Sequence, residues 1–222
     1  VPVITGTNRD EMKLFNAFDP ALTTRRFSVL ISPRDSAFYD RLSRYQSRLW
    51  RIQSVDQPVR WMGEAGQDTV WAYRFDWDEA GSLLTTDFAE ILGAAHAMEI
   101  PFVFNHFDFF GKIDPFLFHG RNAAGREALA QSMGAYWATF ARTGDPAAAG
   151  GPDWPSASAQ PVLMRFDAGG AELMEGRDTV EALLSDLVSD ETLTPAQTCA
   201  IGAALVDWSP ELAVRVEQTL VC

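Results

Sequence analysis

Positive charge is scarce in this chain of 222 residues: 18 Lys and Arg stand against 30 Asp and Glu, for a formal net charge of -12. Binding a nucleic-acid backbone or an anionic lipid surface needs clustered cations that release counterions, so the balance argues against both partners. Long hydrophobic runs are missing too. Nothing approaches the roughly 18 apolar residues of a membrane-spanning helix. The first residues, VPVITGTNRDE, hold neither a basic n-region nor a long apolar h-region, so they read as no signal peptide. Without an initiator Met, the opening on an apolar β-branched segment reads as a processed chain or one part of a longer protein. Cysteine is nearly absent. Cys199 and Cys222 are too few for a disulfide scaffold and too far apart for a C-x-x-C metal pair. One disulfide between them would staple the C-terminal helices and imply an oxidising compartment, secreted or periplasmic; two unpaired buried thiols would fit the cytoplasm. The three histidines, His96, His106 and His119, match no usual metal-ligand spacing. No G-x-S-x-G string occurs, and no internal repeat.

What is present is a globular composition, 47% hydrophobic and 12% aromatic, long enough to bury a sizeable core. Val1 to Thr5 reads as a short buried strand ended by Gly6. Asn8, with Glu11 three residues on, has capping-box spacing for a helix through Met12, Leu14, Phe15 and Phe18. From Asp35 to Gln53 the apolar residues Phe38, Leu42, Tyr45, Leu49 and Ile52 predict a long amphipathic helix. A second helix is expected from Asp56, as N-cap, to Gly66, and a strand over Thr69–Phe75. Residues 76 to 118 show little periodicity and, with the adjoining His119, gather all three histidines, which marks them as functional loops. A strong helical stripe runs from Ala124 to Arg142 and stops at Gly144. Residues 145 to 161 read as a surface loop and Val162–Phe166 as a short edge strand. Three helices are expected near 178–188, 194–205 and 209–220. The order suggests part of an α/β fold whose two convincing strands are too few for a complete core.

Two segments could carry chemistry. Glu11 lies just past the first strand, where ligands gather in open α/β sheets; there it could orient a histidine or bind a cation, or it could simply cap the helix. In GAAHAMEIPFVF the small residues before His96 leave its ring uncrowded, as a catalytic base requires, although a loop histidine without a role fits as well. His106 and His119, among phenylalanines, read as structural or surface residues. A Glu on one strand-end loop and a His on the next make two-thirds of a hydrolase triad in the order Ser, acid, His.

These segments resemble a known family. VPVITGTNRDEMKLF is similar to the segment of type B carboxylesterases, the cholinesterase-like α/β-hydrolases, that ends in G-x-N-x-D-E-G. GAAHAMEIPFVF resembles their G-x-x-H-x-x-E-[IL]-P-[FY]-V-F histidine segment. VRWMGEAGQDTVWAYRFDW resembles their helix-then-strand passage, and SMGAYWATFARTGDP with PDWP their M-x-x-x-W-x-x-F-A-x-T-G-x-P helix and W-P turn. The blocks keep the family order over roughly residues 1 to 166; beyond 167 the likeness to the family's variable helices is loose.

The resemblance implies the C-terminal part of an α/β-hydrolase fold: the last strands of the central sheet plus a large helical portion, with residues 1–222 one part of a single domain. It implies a serine esterase acting on a small-molecule ester without cofactor or metal. Glu11 carries over as the triad acid, His96 as the general base and Glu99 as a carboxylate near the site without a direct catalytic part. Met12 stands where the family has Gly and would alter the loop or narrow the gorge. The nucleophile elbow and oxyanion segment would lie on an absent N-terminal portion of the same esterase, the expected partner. The other reading is a catalytically inactive relative used for binding or adhesion. Phe102, Phe104, Phe107, Phe109 and Phe110 divide between core packing and an apolar acyl or alcohol pocket.

Overall fold

The computed structural model describes residues 1–27, 30–147 and 150–222. In chain order the first elements are β1 (Val3–Asn8), α1 (Lys13–Asn16), β2 (Thr23–Arg26), β3 (Leu30–Pro33), α2 (Ser36–Arg51), α3 (Gln57–Glu64) and β4 (Val70–Phe75). The loop-rich stretch holds β5 (Ser82–Leu83), β6 (Thr86–Asp87), α4 (Phe88–Ile91), α5 (Ile100–Val103) and α6 (Asp114–Leu117). There follow α7 (Ala123–Thr143), β7 (Val162–Asp167), β8 (Gly170–Glu175), α8 (Val180–Ser189), α9 (Pro195–Trp208) and α10 (Ala213–Thr219). The main sheet has the order β1-β4-β7-β8. In it β1, β4 and β7 are parallel, and β8 returns antiparallel to β7.

Period-two alternation sorts the sheet's side chains onto two faces. Trp71 and Phe75 of β4, with Met164 and Phe166 of β7, pack with Leu129, Met133 and Tyr136 of α7. Val70 and Ala72, with Leu163, point to the other face, against Val55 and Val59. A third cluster joins Leu42, Tyr45 and Leu49 of α2 to Leu183, Leu187, Ile201 and Leu205 of α8 and α9. It is tied to α8 through Arg48, whose guanidinium meets Asp178 at 2.7 Å and Asp186 at 2.9 Å.

Several expectations change. The first strand passes through Gly6 and ends at Asn8. Gly6 is there for close approach: opposite it, Tyr73 lays its ring where a Cβ would come within 2.1 Å. The segment at 162–166 is an interior strand between β4 and β8, because the run Gly170–Glu175, which has no β-branched or aromatic residue to mark it, forms an edge strand. Asp56 caps nothing. Helix α2 runs on through a π-helical turn, Ile52–Asp56, directly into α3, and Asp56 instead pairs with Arg51 at 2.9 Å and accepts from the Asp178 N–H at 3.1 Å. The helix after Asn8 shrinks to the single turn α1, which starts without a side-chain cap. The helix at 209–220 is split into a 3-10 turn, Pro210–Leu212, and α10. Within the expected loop 145–161, Ala148 and Ala149 lie outside the described residues. The cysteines are not free thiols: Cys199 and Cys222 form a disulfide, with 5.7 Å between their Cα atoms.

Candidate active site

Thr7 to Glu11 leave the carboxyl end of β1 and meet the turn that carries His96, between α4 and α5. His96 Nδ1 lies 2.7 Å from Glu11 Oε2. The other carboxylate oxygen, Oε1, accepts the Asn8 backbone N–H at 2.7 Å and the Thr7 hydroxyl at 3.1 Å. Both oxygens of a side chain only 6% exposed are therefore committed, one to the main chain and one to the ring. A carboxylate so fixed favours the proton on Nδ1 and leaves Nε2 to exchange protons. The imidazole itself is 43% exposed, so the ring is reachable while its partner is not.

The two loops are laced together. Asp10 N–H donates to the Ala94 carbonyl at 3.0 Å, and Ala94 N–H returns to Asp10 Oδ2 at 3.1 Å. Gly93 sits at φ +52, and a Cβ there would come within 2.4 Å of Asp10 Oδ2, so this crossing requires glycine. The Asn8 side chain donates to Ala95 O and to Glu99 Oε2, each at 2.6 Å. Burial holds the Glu99 carboxyl above the usual carboxylate range, with the Asn8 hydrogen bond pulling the other way. Immediately after His96, Ala97 adopts φ +68, a left-handed conformation uncommon for a residue with a side chain.

Aromatic rings frame the imidazole: Phe15 at 5.6 Å and Trp50 at 5.3 Å between centroids, with Trp208 of α9 at 5.5 Å from Trp50. None of these was read as part of a site from the sequence: Phe15 was expected on the apolar run of a helix, Trp50 falls outside the apolar stripe of α2, and Trp208 lies some 110 positions from the histidine. Beside His96 opens a cavity of about 420 Å³ with a largely apolar lining that includes Leu14, Phe18, Ile31, Met98, Phe110 and Phe116. Of the five phenylalanines that follow the histidine, Phe110 lines it. Phe102 is fully buried against Phe75 and Trp77, Phe107 packs on Phe102, and Phe104 and Phe109 face solvent. Met12 is buried at φ -77, which needs no glycine, and its N–H donates to Ser47 Oγ at 3.0 Å. His106 is exposed, and His119 accepts the Arg121 N–H at 3.2 Å; neither joins the site. Among the described residues no group of three or more His, Cys, Asp or Glu could hold a metal ion.

The chain matches the carboxylesterase family over residues 23–176, a span that includes His96 and Glu99 and leaves out Glu11. No curated protein matches it. Among solved structures it is similar to the Geobacillus stearothermophilus carboxylesterase EST55 at pH 6.8, with 26% identity and a TM-score of 0.52. The same enzyme at pH 6.2 gives 23% identity and a TM-score of 0.54. A PNB esterase gives 22% identity and a TM-score of 0.42, over 79% of this chain and 36% of its own. The EST55 matches cover 78% of this chain but only 36% and 38% of EST55, so the chain spans little more than a third of that enzyme's length. The mixed sheet and its flanking helices are accordingly part of an α/β-hydrolase fold.

Proposed function

This chain belongs to the carboxylesterase family, and we propose that it supplies the acid, Glu11, and the base, His96, of a Ser–Glu–His triad that hydrolyses carboxylic esters. The serine and the oxyanion hole lie on an N-terminal portion of the same esterase, and residues 1–222 are the C-terminal portion of that one domain. Three observations support this division. The chain spans about a third of EST55, no G-x-S-x-G string occurs in it, and the outer edge of β1 pairs with no strand among the described residues.

The observation that carries the reading is the 2.7 Å contact between Glu11 Oε2 and His96 Nδ1. In the reaction His96 Nε2 takes the proton from the serine hydroxyl as its oxygen attacks the ester carbonyl carbon. Glu11 holds the ring in one tautomer and stabilises the imidazolium. Collapse of the tetrahedral intermediate expels the alcohol, which leaves with the proton from His96. Water then attacks the acyl carbon as it gives a proton to the same nitrogen, and the serine oxygen leaves with that proton as the acid is released, which restores the free hydroxyl and the neutral imidazole. None of these steps calls for a metal or organic cofactor. The apolar cavity beside His96 suits the hydrocarbon part of a small-molecule ester, as acyl or alcohol group. The disulfide fits a secreted or periplasmic enzyme, where thiols stay oxidised.

The test is hydrolysis of a chromogenic short-chain ester by the assembled esterase. His96→Ala and Glu11→Gln should each lower kcat by about 10³-fold or more, as for triad members elsewhere. Activity surviving in His96→Ala overturns the assignment. No turnover by the unaltered assembled protein favours the inactive, ligand-binding alternative.

A further inference from the structure

We propose that Asn8 is the positioning residue of this site: its side-chain amide pins the segment carrying His96 to the loop carrying Glu11, with Glu99 serving as the amide's acceptor. The inference rests on the Glu11–His96 reading above and adds to it the group that sets their geometry.

An asparagine amide nitrogen carries two protons, and here both are used, on Ala95 O and on Glu99 Oε2, each at 2.6 Å. Ala95 immediately precedes His96 and Glu99 follows three residues later, so one buried side chain grips the histidine segment on both sides. The backbone N–H of the same residue donates to Glu11 Oε1 at 2.7 Å. Asn8 thus fixes the acid through its main chain and the base through its side chain. The Asp10 bridge does less, because it reaches only Ala94, and its Oδ2 is shared with the Arg9 guanidinium at 2.8 Å.

The gripped segment needs holding. Ala97 at φ +68 lies between the two anchor points, and such a conformation persists only where the surroundings over-determine it. Released at Ala95 and Glu99, the turn would relax and swing the imidazole off the carboxylate. Glu99 makes its own contact with Asn8, while the carboxylate on the ring is that of Glu11. Its contribution is therefore a hydrogen bond to Asn8, which a neutral amide oxygen can also accept.

The experiment uses the esterase assembled with its nucleophile-bearing portion. In Asn8→Ala and in the isosteric Asn8→Asp, which removes both protons, kcat should fall about a hundredfold, the cost of a misplaced catalytic group. KM should stay within about twofold, since substrate contacts are intact. Side-chain ¹⁵N NMR should show a mixture of His96 tautomers where the unaltered protein shows one. Glu99→Gln should recover most of the activity that Glu99→Ala loses, and this pair decides the matter if the Asn8 variants do not fold. Undiminished kcat in a folded Asn8→Ala protein, a loss confined to KM, or Glu99→Gln as damaged as Glu99→Ala overturns the proposal. If His96→Ala is dead while the Asn8 variants turn over normally, this inference fails alone. If His96→Ala is active, the triad fails first.

Discussion

Glu99 spends its burial between two loops, and that has a consequence for stability as well as for geometry. Burial raises its folded-state pKa above the ordinary 4.5, with nearby Glu11 adding to the rise and Asn8 and His96 opposing it. The folded state then holds the proton more tightly than the unfolded chain, so Glu99's contribution is full below about pH 4.5 and is lost as pH climbs through the raised value. Thermal midpoints of the assembled protein and of Glu99→Gln, measured from about pH 4 to pH 7, should diverge in favour of the variant as pH rises. A difference that moves the other way would show that the carboxylate form is favoured in the fold. At this scale the meeting of Glu11 with His96 was legible, because an acid past one strand and an accessible histidine past the next form a recognisable pair. Asn8 was not. An asparagine three residues before a glutamate has capping-box spacing, and the same two residue types here serve a backbone lock and an inter-loop bridge 87 positions apart. Only the fold separates those uses.

At the scale of elements, periodicity predicted the long helices well. Apolar residues at three- and four-residue spacing gave α2 and α7 to within a few positions, and Asp35 accepts the Phe38 N–H at 3.0 Å as an N-cap should. Periodicity could not show that α2 continues through a π turn, since Asp56 is as good a cap by composition as Asp35. The two aspartates therefore give a contrast to measure. Asp35→Ala should cost about 1 kcal/mol, the ordinary loss of a cap. Asp56→Ala should cost about 3 kcal/mol, because it leaves the largely buried Arg51 without its charge partner. Denaturant unfolding of the two variants checks this, and equal losses would mean that Asp56 is no more than a cap. The short edge elements escaped for a different reason. Strand β8 holds no β-branched or aromatic residue and is half exposed, and β5 and β6 have two residues each, too few for any period to register.

For the whole molecule, the free edge of β1 matters most. Residues Val3 to Gly6 are only half-buried although they lie beside the mostly buried β4. Unpaired edges and uncovered apolar surface invite association. Expressed alone, the chain should run in size-exclusion chromatography with mass detection as aggregate or oligomer, and show no esterase activity. Mixed with the N-terminal portion, it should form a complex burying well over the roughly 2,000 Å² of an ordinary interface. A well-behaved 24.5 kDa monomer with cooperative unfolding would overturn the incompleteness, and turnover by that monomer would overturn the site. The sequence offered two convincing strands where the main sheet has four, so the expectation of further strands rests on the outer edge of β1, which pairs with no strand among the described residues. The aromatic frame of the histidine was not, because Phe15, Trp50 and Trp208 come from three separate elements.

The continuous helical rod from Ser36 through the π turn to Glu64 spans about 40 Å at 1.5 Å per residue. Its first half is embedded among α8 and α9, while Val55 and Val59 lie under the sheet. Mechanically it is a shared axle. Neither core can rotate or draw away from the other without unwinding the turn between Ile52 and Asp56. Trp50, two residues before that joint, rides on the same shaft and lies against the His96 imidazole, so any torque between the two cores would be delivered to that ring.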